Sequence, residues 1–330
     1  MKTILSADMG GTKTLLRLTK MKDDNIVEFH EEAFISANFS HLRDIVKPFI
    51  QGIEVLSACF AVAGPVSGND ERQSAVITNL PWRLDSDDLS RDLKIPTVKL
   101  INDFQAIGYG IDRLAPNSLT RIQDGDVVDK ANRAIIGAGT GLGQAFMTYD
   151  QGRYKVHATE GGHVEFAPNN VEEIALLAYL QQNYTHVSYE RILSGSGLIS
   201  IYEFMKDRYP ELIDLSLDAQ FTHGDAAAII SQTALKNPAH IAAKALTMFV
   251  TIYGAQAGNM VLNYNCAGGV YIAGGIAGKI ESVMKSDIFR QAFNNKGRMS
   301  DLTLKIPVFL ITDAKVGLYG AENIAIRSIA

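Results

Sequence analysis

Two segments of this chain share one layout, and that repetition constrains the fold more than any other feature. Residues 4–20, ILSADMGGTKTLLRLTK, have the pattern of an apolar strand, a turn of Gly and Thr, and a second strand. Residues 134–150, AIIGAGTGLGQAFMTYD, follow the same order. Either turn by itself is typical of a tight hairpin. Their recurrence predicts two related lobes, each with a glycine loop that faces a phosphate, and a ligand between the lobes.

The segments after the first repeat predict a mixed α/β sheet. Strand patterns fill residues 3–36, and a helix pattern (38–51), a strand (57–64), a capped helix (84–93) and a strand (97–103) follow. This order, β-β-β-α-β-α-β, is typical of a sheet with a parallel extension. Because 330 residues exceed what one core serves, two lobes are again expected.

Helix signals dominate residues 170–265, so the second lobe is expected to carry most of the helix. Asn170 precedes VEEIALLAYLQQNY with an acidic first turn, and Asn237 with Pro238 is predicted to open AHIAAKALTMFVTIYGAQAGNMVL. Residues 245–278 carry no charge and are long enough to cross a bilayer. Polar residues and glycines interrupt them, which favours a buried helix, a polar turn and a core strand.

Charge and cysteine content argue against several partners. The formal net charge is −5, so the chain offers no basic field for nucleic acid. Cys59 and Cys266 are too few and too distant for a disulfide framework or a thiolate zinc site. The first apolar run ends before Asp8, which is too short for a signal peptide. We therefore expect a cytoplasmic protein without nucleic-acid or membrane partners.

Three glycine turns suit phosphate or nucleotide binding, because glycine lets backbone N–H groups approach closely. They are Gly10-Gly11-Thr12, residues 137–143 and the segment VYIAGGIAGKI at 270–280. None fits the G-x-G-x-x-G or P-loop template. Asp8 beside the first turn would repel a phosphate unless it serves Mg²⁺, directly or through water; an Asx-type turn is the alternative.

Asn102 and Asp103 end an apolar strand where a helix pattern begins. A rigid strand end would hold a carboxylate base in place for in-line attack. The alternative is that Asp103 merely N-caps the helix. His163 could likewise be an ordinary core histidine.

Six motifs, in this order along the chain, resemble the bacterial glucokinase family, a branch of the actin, Hsp70 and hexokinase superfamily. They are ADMGGT (7–12), INDF (101–104), GAGTGLG (137–143), EGGHVEFAP (160–168), YERILSGSG (189–197) and IAGGI (272–276). The resemblance implies a two-lobed actin-like ATPase (ribonuclease H-like) fold, with the β-β-β-α-β-α-β sheet in each lobe and ATP and sugar in the cleft between them. The expected lobes are a smaller α/β lobe of residues 1–106 plus 312–330 and a larger α+β lobe of residues 107–311.

The resemblance also implies an activity, ATP-dependent phosphorylation of glucose to glucose 6-phosphate at the start of glycolysis. Asp103 matches the catalytic base that takes the proton of the sugar 6-hydroxyl. The sugar ligands implied are Asn102, Asp103, Glu160, His163 and Glu190. Such carboxylates, amide and imidazole are the acceptors and donors that a ring of hydroxyls needs. The ATP-binding residues implied are Ala7, Asp8, Met9, Gly10, Gly11, Thr12, Gly139, Thr140, Gly141, Gly274 and Gly275, with Asp8 also holding Mg²⁺ through water. A homodimer is a further family-based expectation.

Alternatives and departures accompany this assignment. The chain could be a kinase for another hexose or amino sugar, such as mannose, fructose or N-acetylglucosamine, or a non-catalytic sugar sensor of the same fold. Lys13 after GGT resembles the ROK family of sugar kinases and regulators. ROK members typically carry a zinc site of one His and three clustered Cys, which two distant cysteines cannot supply. Glu165 stands where the glucokinase pattern is expected to have Asp.

Overall fold

The structure, a computed structural model, describes residues 1–23, 25–77 and 80–329. Its strands are β1 (Lys2–Met9), β2 (Lys13–Lys22), β3 (Asn25–Ile35), β4 (Ser57–Val62), β5 (Val66–Gly68), β6 (Gln73–Val76), β7 (Arg83–Asp85), β8 (Thr97–Asn102), β9 (Leu119–Gln123), β10 (Arg133–Ala138), β11 (Leu142–Asp150), β12 (Arg153–Thr159), β13 (Val270–Ala273) and β14 (Val308–Ile311). Its α-helices are α1 (Leu42–Phe49), α2 (Ser86–Leu93), α3 (Asp103–Gly110), α4 (Val171–Leu180), α5 (Gly195–Arg208), α6 (Leu215–Gln220), α7 (Ala226–Lys236), α8 (Ile241–Tyr264), α9 (Gly275–Lys279), α10 (Glu281–Met284), α11 (Asp287–Asn294), α12 (Ser300–Thr303) and α13 (Val316–Arg327).

The chain divides into two units. Unit one comprises residues 1–118, 154–158 and 313–330, and unit two comprises residues 119–153 and 159–312. The lobe bounds expected from the sequence remain a prediction.

The sheet of unit one has the strand order β3-β2-β1-β4-β8. β1 is antiparallel to β2 and parallel to β4, and β4 is parallel to β8. The register places Met9 opposite Val62 and Val62 opposite Asn102. The carboxyl ends of β1, β4 and β8 therefore lie side by side, with Asp8 near the end of one outer strand of this trio and Asn102 at the end of the other.

Side chains alternate along β1 and divide the core of unit one between the two sheet faces. Leu5, Ala7 and Met9 belong to a core shared with residues of α1 and α2. Ile4 belongs to another core, shared with residues of α3 and α13. Asp8 lies four residues after Ile4, so its side chain is on the same face of the sheet. This is the face that α3 and α13 cover.

Helices α3 and α13 pack with their backbones in direct contact. A Cβ built at Gly320 of α13 would overlap the carbonyl oxygen of Ala106, and one built at Gly110 would overlap the carbonyl oxygen of Val316. Glycine is required at both positions because any side chain would separate the helices. The fully buried Glu322 fixes α13 further, accepting hydrogen bonds from Arg17 (3.2 Å) and Arg113 (3.0 Å).

The six-stranded sheet, of which all strands but β12 lie in unit two, repeats the pattern with one additional strand. Its order is β12-β11-β10-β13-β14-β9, with β10 antiparallel to β11 and parallel to β13, and β13 parallel to β14. The chain order is again three strands, helices, a strand, helices and a strand. The predicted β-β-β-α-β-α-β order and the internal repeat are therefore confirmed.

The uncharged segment divides as expected. Within the described ranges, Ile241–Tyr264 is long and apolar enough to cross a membrane by length and composition, yet 78% of its most apolar window is buried in the protein. β13 then forms a fully buried strand. The predicted helix start was wrong: His240 is the N-cap, its Nδ1 accepting from the Ala242 N–H at 3.0 Å. Asn237 instead accepts from the Ala239 N–H (3.2 Å) and closes a separate turn.

Candidate active site

Asn102, rather than Asp103, caps helix α3. Its Oδ1 accepts from the N–H groups of Phe104 (2.9 Å) and Gln105 (3.3 Å), and Gln105 Oε1 accepts from the Asn102 N–H (3.2 Å). Asn102 Nδ2 also donates to the Gly64 carbonyl oxygen at 3.1 Å. The alternative that Asp103 is the cap is therefore wrong. A hydrogen bond from the Asn102 side chain to Asp103 acts to lower the pKa of that carboxyl group.

Asp103 occupies the first helical position of α3, at the carboxyl end of β8. Its Oδ1 accepts from the Phe104 N–H at 2.9 Å, which stabilises the carboxylate. Burial nevertheless raises the pKa of Asp103 to about 6, and the nearby Asp8 carboxylate acts in the same direction. Asp103 is thus a carboxyl group whose pKa lies within reach of neutral pH, as general bases commonly require.

Asp8 lies near the end of β1, partly covered by the first turn of α13. A Cβ built at Gly317 would lie 3.1 Å from Asp8 Oδ2, so the helix backbone packs closely on the carboxylate. Burial raises the pKa of Asp8 to about 6. The Asp8 carboxylate raises the pKa of Asp103, and carboxylate oxygens of this kind are the ligands that a divalent cation prefers.

Gly10, Gly11 and Thr12 form the predicted hairpin between β1 and β2. The Gly10 N–H donates to the Lys13 carbonyl oxygen (2.9 Å). Ser36, which is fully buried, holds the turn from the side: its N–H donates to the Thr12 carbonyl oxygen and its Oγ to the Gly10 carbonyl oxygen, both at 3.0 Å. The turn is therefore supported by a residue that no sequence motif indicated.

The second glycine turn joins β10 to β11, also as predicted. The Gly139 N–H donates to the Gly141 carbonyl oxygen at 2.8 Å, and the Gly195 N–H at the start of α5 donates to the Gly139 carbonyl oxygen at 2.9 Å. Tyr253, buried on α8, accepts from the Ala138 N–H at 3.0 Å through its hydroxyl. These bonds fix both ends of the turn.

The third glycine segment lies against the end of β10. Gly274 has φ of 86°, and a Cβ there would overlap the backbone of Ala138. Gly275 begins α9, and nothing in the described part of the chain lies within 4 Å of a Cβ built there. The second and third predicted nucleotide elements are thus adjacent in unit two, with open space beside Gly275.

Glu160, His163 and Glu190 come together in unit two. His163 Nε2 lies 4.0 Å from Glu160 Oε2, and His163 Nδ1 lies 3.9 Å from Glu190 Oε1. Their side chains are 71% (Glu160), 60% (His163) and 32% (Glu190) exposed, so polar atoms of all three can reach a ligand. His163 is therefore not a core histidine. An isolated bridge between Glu165 and Ser188 brings the two segments into register.

The glycines of EGGH have a packing reason. The turn Gly161–His163 lies on the start of β11, where a Cβ at Gly162 would overlap the Leu142 carbonyl oxygen and one at Gly161 would press on Gln144 Oε1. The glycines let Glu160 and His163 lie close to the second glycine turn, which ends at Leu142.

Sequence reasoning missed three supporting residues. Gln105 was detectable, because N-x-x-Q in NDFQ has the spacing of a capping box. Ser36 and Tyr253 gave no signal, since the glycine-turn residues that they bond lie 24 or more positions away in the sequence. In the described residues no group of three or more His, Cys, Asp or Glu side chains forms a metal cluster.

Comparison with known proteins identifies the family. A sequence model of the family described as Glucokinase matches residues 5–328. The glucokinase of Nostoc sp. is 40% identical, over 99% of this chain and 100% of that protein. The glucokinase of Synechocystis sp. is 41% identical, over 98% of each. The chain belongs to the glucokinase family.

Solved structures agree in fold. The crystal structure of glucokinase from an Antarctic psychrotroph has a TM-score of 0.85 at 29% identity and covers 99% of both chains. A ROK family glucokinase from Streptomyces griseus has a TM-score of 0.62 at 20% identity, with 98% of this chain and 99% of that chain covered, a likeness of fold alone. The predicted family and the actin-like ATPase fold are confirmed. So is the predicted activity of the glucokinase family, ATP-dependent phosphorylation of glucose.

Proposed function

We propose that this glucokinase family member transfers the γ-phosphoryl group of ATP to the 6-hydroxyl of glucose, with Asp103 as the base. The observation that carries the assignment is the position of Asp103: a partly buried carboxylate at a strand end, with a pKa raised to about 6. A sensor protein would have no use for such a group. The raised pKa makes the carboxylate a better proton acceptor than an exposed Asp while leaving it ionised at pH 7.

Sugar recognition is assigned to the five residues that the family resemblance implies. Asn102 offers its side-chain amide, and Asp103, Glu160 and Glu190 offer carboxylate oxygens for sugar hydroxyls. His163, between Glu160 and Glu190, can donate or accept according to its tautomer. Each hydroxyl matched in this way discriminates against analogues that lack it, because a site group would be left unpaired.

ATP is assigned to the glycine turns. The residues assigned are 7–12, Gly139 to Gly141, and Gly274 with Gly275. In the described part of the chain nothing lies within 4 Å of a Cβ built at Gly139 or Gly275, which leaves room for a phosphate or ribose. Asp8 would hold Mg²⁺ through water, because its carboxylate lies near the end of β1, beside the first glycine turn. When bound, the ion neutralises phosphate charge.

The proton transfer follows from these placements. Asp103 accepts the proton of the 6-hydroxyl as the oxygen attacks the γ-phosphorus, the bond from phosphorus to the β,γ-bridging oxygen breaks, and ADP leaves. Asn102 fixes the first turn of α3 by its two capping bonds, so Asp103 is held by the strand end and the helix together.

The test is ADP release with ATP and Mg²⁺, measured with glucose, mannose, fructose, galactose, N-acetylglucosamine and no sugar. Asp103→Ala is measured beside Asp70→Ala, an exposed acid of the same unit. We expect glucose-dependent turnover that Asp103→Ala abolishes and Asp70→Ala retains. Equal activity of Asp103→Ala and wild type would refute the base assignment. Faster turnover with another sugar would identify that sugar, and not glucose, as the preferred substrate.

Two further parts of the proposal rest on the family resemblance. They are a cytoplasmic location, where ATP and sugar are both available, and assembly as a homodimer. Sedimentation of the purified protein measures its oligomeric state directly, and a monomer at micromolar concentration would exclude the homodimer.

A further inference from the structure

The carboxylate of Glu190 is held by the second glycine turn. Glu190 Oε2 accepts from the Leu142 N–H at 2.9 Å, and Leu142 directly follows Gly141. A Cβ built at Gly141 would lie closer than 3.0 Å to the same Oε2, a separation that real Cβ atoms essentially never show. The Glu190 carboxylate therefore occupies the space that a side chain at position 141 would need.

Gly139 in the same turn is different. Nothing in the described part of the chain lies within 4 Å of a Cβ built at Gly139. Its contacts are backbone bonds to Gly141 and Gly195, which an alanine keeps. Neither glycine is in the left-handed region, so backbone conformation does not require glycine at either position. The requirement at position 141 comes from Glu190.

The other end of Glu190 is fixed as well. Ser194 Oγ, at the N-cap of α5, donates to the Glu190 carbonyl oxygen at 2.7 Å. With the backbone anchored there and Oε2 anchored by Leu142, the carboxylate has little freedom. The other carboxylate oxygen, Oε1, lies 3.9 Å from His163 Nδ1 and is the one on the side of Glu160 and His163.

We propose that Gly141 and the Leu142 N–H position the Glu190 carboxylate for sugar, so that the second nucleotide turn is also a determinant of sugar affinity. This inference rests on the proposed function, which makes Glu190 a sugar ligand. It assigns Gly141 a role beyond the nucleotide contact that the resemblance implies. A nucleotide that shifts this turn shifts Glu190 with it, so nucleotide and sugar affinities are coupled, and the coupling is reciprocal.

The first experiment compares Gly141→Ala with Gly139→Ala. Isothermal titration calorimetry with glucose in the absence of nucleotide measures glucose affinity by itself. We expect Gly141→Ala to raise the glucose Kd about tenfold or more, the loss of roughly one charged hydrogen bond, and Gly139→Ala to leave it within about twofold. Equal effects of the two alanines on glucose Kd would overturn the inference. Circular dichroism melts verify that both variants are folded.

A second variant keeps the inference testable if Gly141→Ala folds poorly. Glu190→Asp shortens the side chain by one methylene, which removes the overlap with a Cβ at position 141. By itself Glu190→Asp is expected to weaken glucose binding. In the Gly141→Ala background, Glu190→Asp is expected to raise the glucose Kd by a factor at least five times smaller than in wild type, or to restore affinity. Additive effects of the two substitutions on glucose Kd would contradict a direct contact.

Coupling is measured by repeating the titrations with a saturating non-hydrolysable ATP analogue. In wild type, glucose Kd is expected to change at least threefold, and Gly141→Ala is expected to lose most of that change. An unchanged coupling in Gly141→Ala would overturn this part. Failure of the proposed function is distinguishable, because wild type would then show neither glucose binding nor glucose-dependent turnover.

Discussion

The predicted site residues of the two units differ in how they are held. Asp8 and Asp103 in unit one are partly buried at strand ends, and burial raises the pKa of each to about 6. Glu160 and His163 in unit two are on a short turn, with side chains 71% and 60% exposed. The first pair is placed by the sheet and by helices α3 and α13, and the second by a single glycine turn on β11.

The difference fits the two roles proposed for these residues. A base must have a fixed position and a tuned pKa, and burial supplies both at a cost in stability. A sugar ligand must present polar atoms to hydroxyls that arrive from water, which exposure allows. Glu190 lies between the two cases, since it is one-third exposed and one of its oxygens is already bonded to the backbone.

The largest expected effect is loss of turnover in Asp103→Asn. Removing the proposed base should lower kcat by about 10²–10⁴-fold, while glucose KM changes less. In wild type, kcat/KM should fall about tenfold per pH unit below about pH 6, as Asp103 becomes protonated. Steady-state kinetics between pH 5 and 8 provide the measurement. A pH profile that is flat from 5 to 8 would contradict the tuned pKa.

The next effect tests the support of Asp103. Gly320→Ala forces α13 away from Ala106 on α3, and overpacking of this kind typically costs about 1–3 kcal/mol of unfolding free energy. Gly278→Ala on α9 is the control, because in the described residues nothing lies within 4 Å of its added Cβ. Urea denaturation of both variants should show the loss in Gly320→Ala alone. Equal midpoints would mean that the helix pair tolerates separation.

An effect of similar size and opposite sign is expected for the stability of Asp103→Asn. The folded protein binds the Asp103 proton more tightly than the unfolded chain, so the ionised carboxylate destabilises the fold, increasingly as pH rises through about 6. At pH 7.5 the Asn variant should be more stable by roughly 1–3 kcal/mol. The gain should disappear by about pH 4. A variant that is less stable at pH 7.5 would show that the carboxylate makes stabilising contacts.

The smallest effects are expected on the exposed turn. Glu160→Gln and His163→Ala should each raise glucose KM by about three- to tenfold, as the loss of one hydrogen bond does. The thermal midpoint should stay within about 2 °C, because neither side chain is buried. Glu165→Gln, on the same segment, is the matched control. A large fall in Tm for His163→Ala would mean that the turn, like α3, is structurally important.

Local patterns sufficed wherever the determinants were close in sequence. The strands, the two glycine hairpins and the Asn170 cap of α4 all arise from neighbouring residues, and each prediction is confirmed. The predicted start of α8 at Asn237 and Pro238 was wrong, because the helix is capped by His240. This cap depends on how His240 is oriented, and its Nε2 bonds to Asp214, 26 residues away.

By itself the sequence determined the glucokinase family, the repeated α/β order and the residue types of the candidate site. The tertiary structure decided what those residues do locally: Asn102 caps α3, burial tunes Asp103, and Gly141 leaves room for Glu190. Spacing along a chain fixes hydrogen bonds between near neighbours, and these can be inferred from the sequence. Desolvation and steric exclusion depend on atoms contributed by distant segments, such as Gly317 against Asp8, and they arise only when the chain has folded.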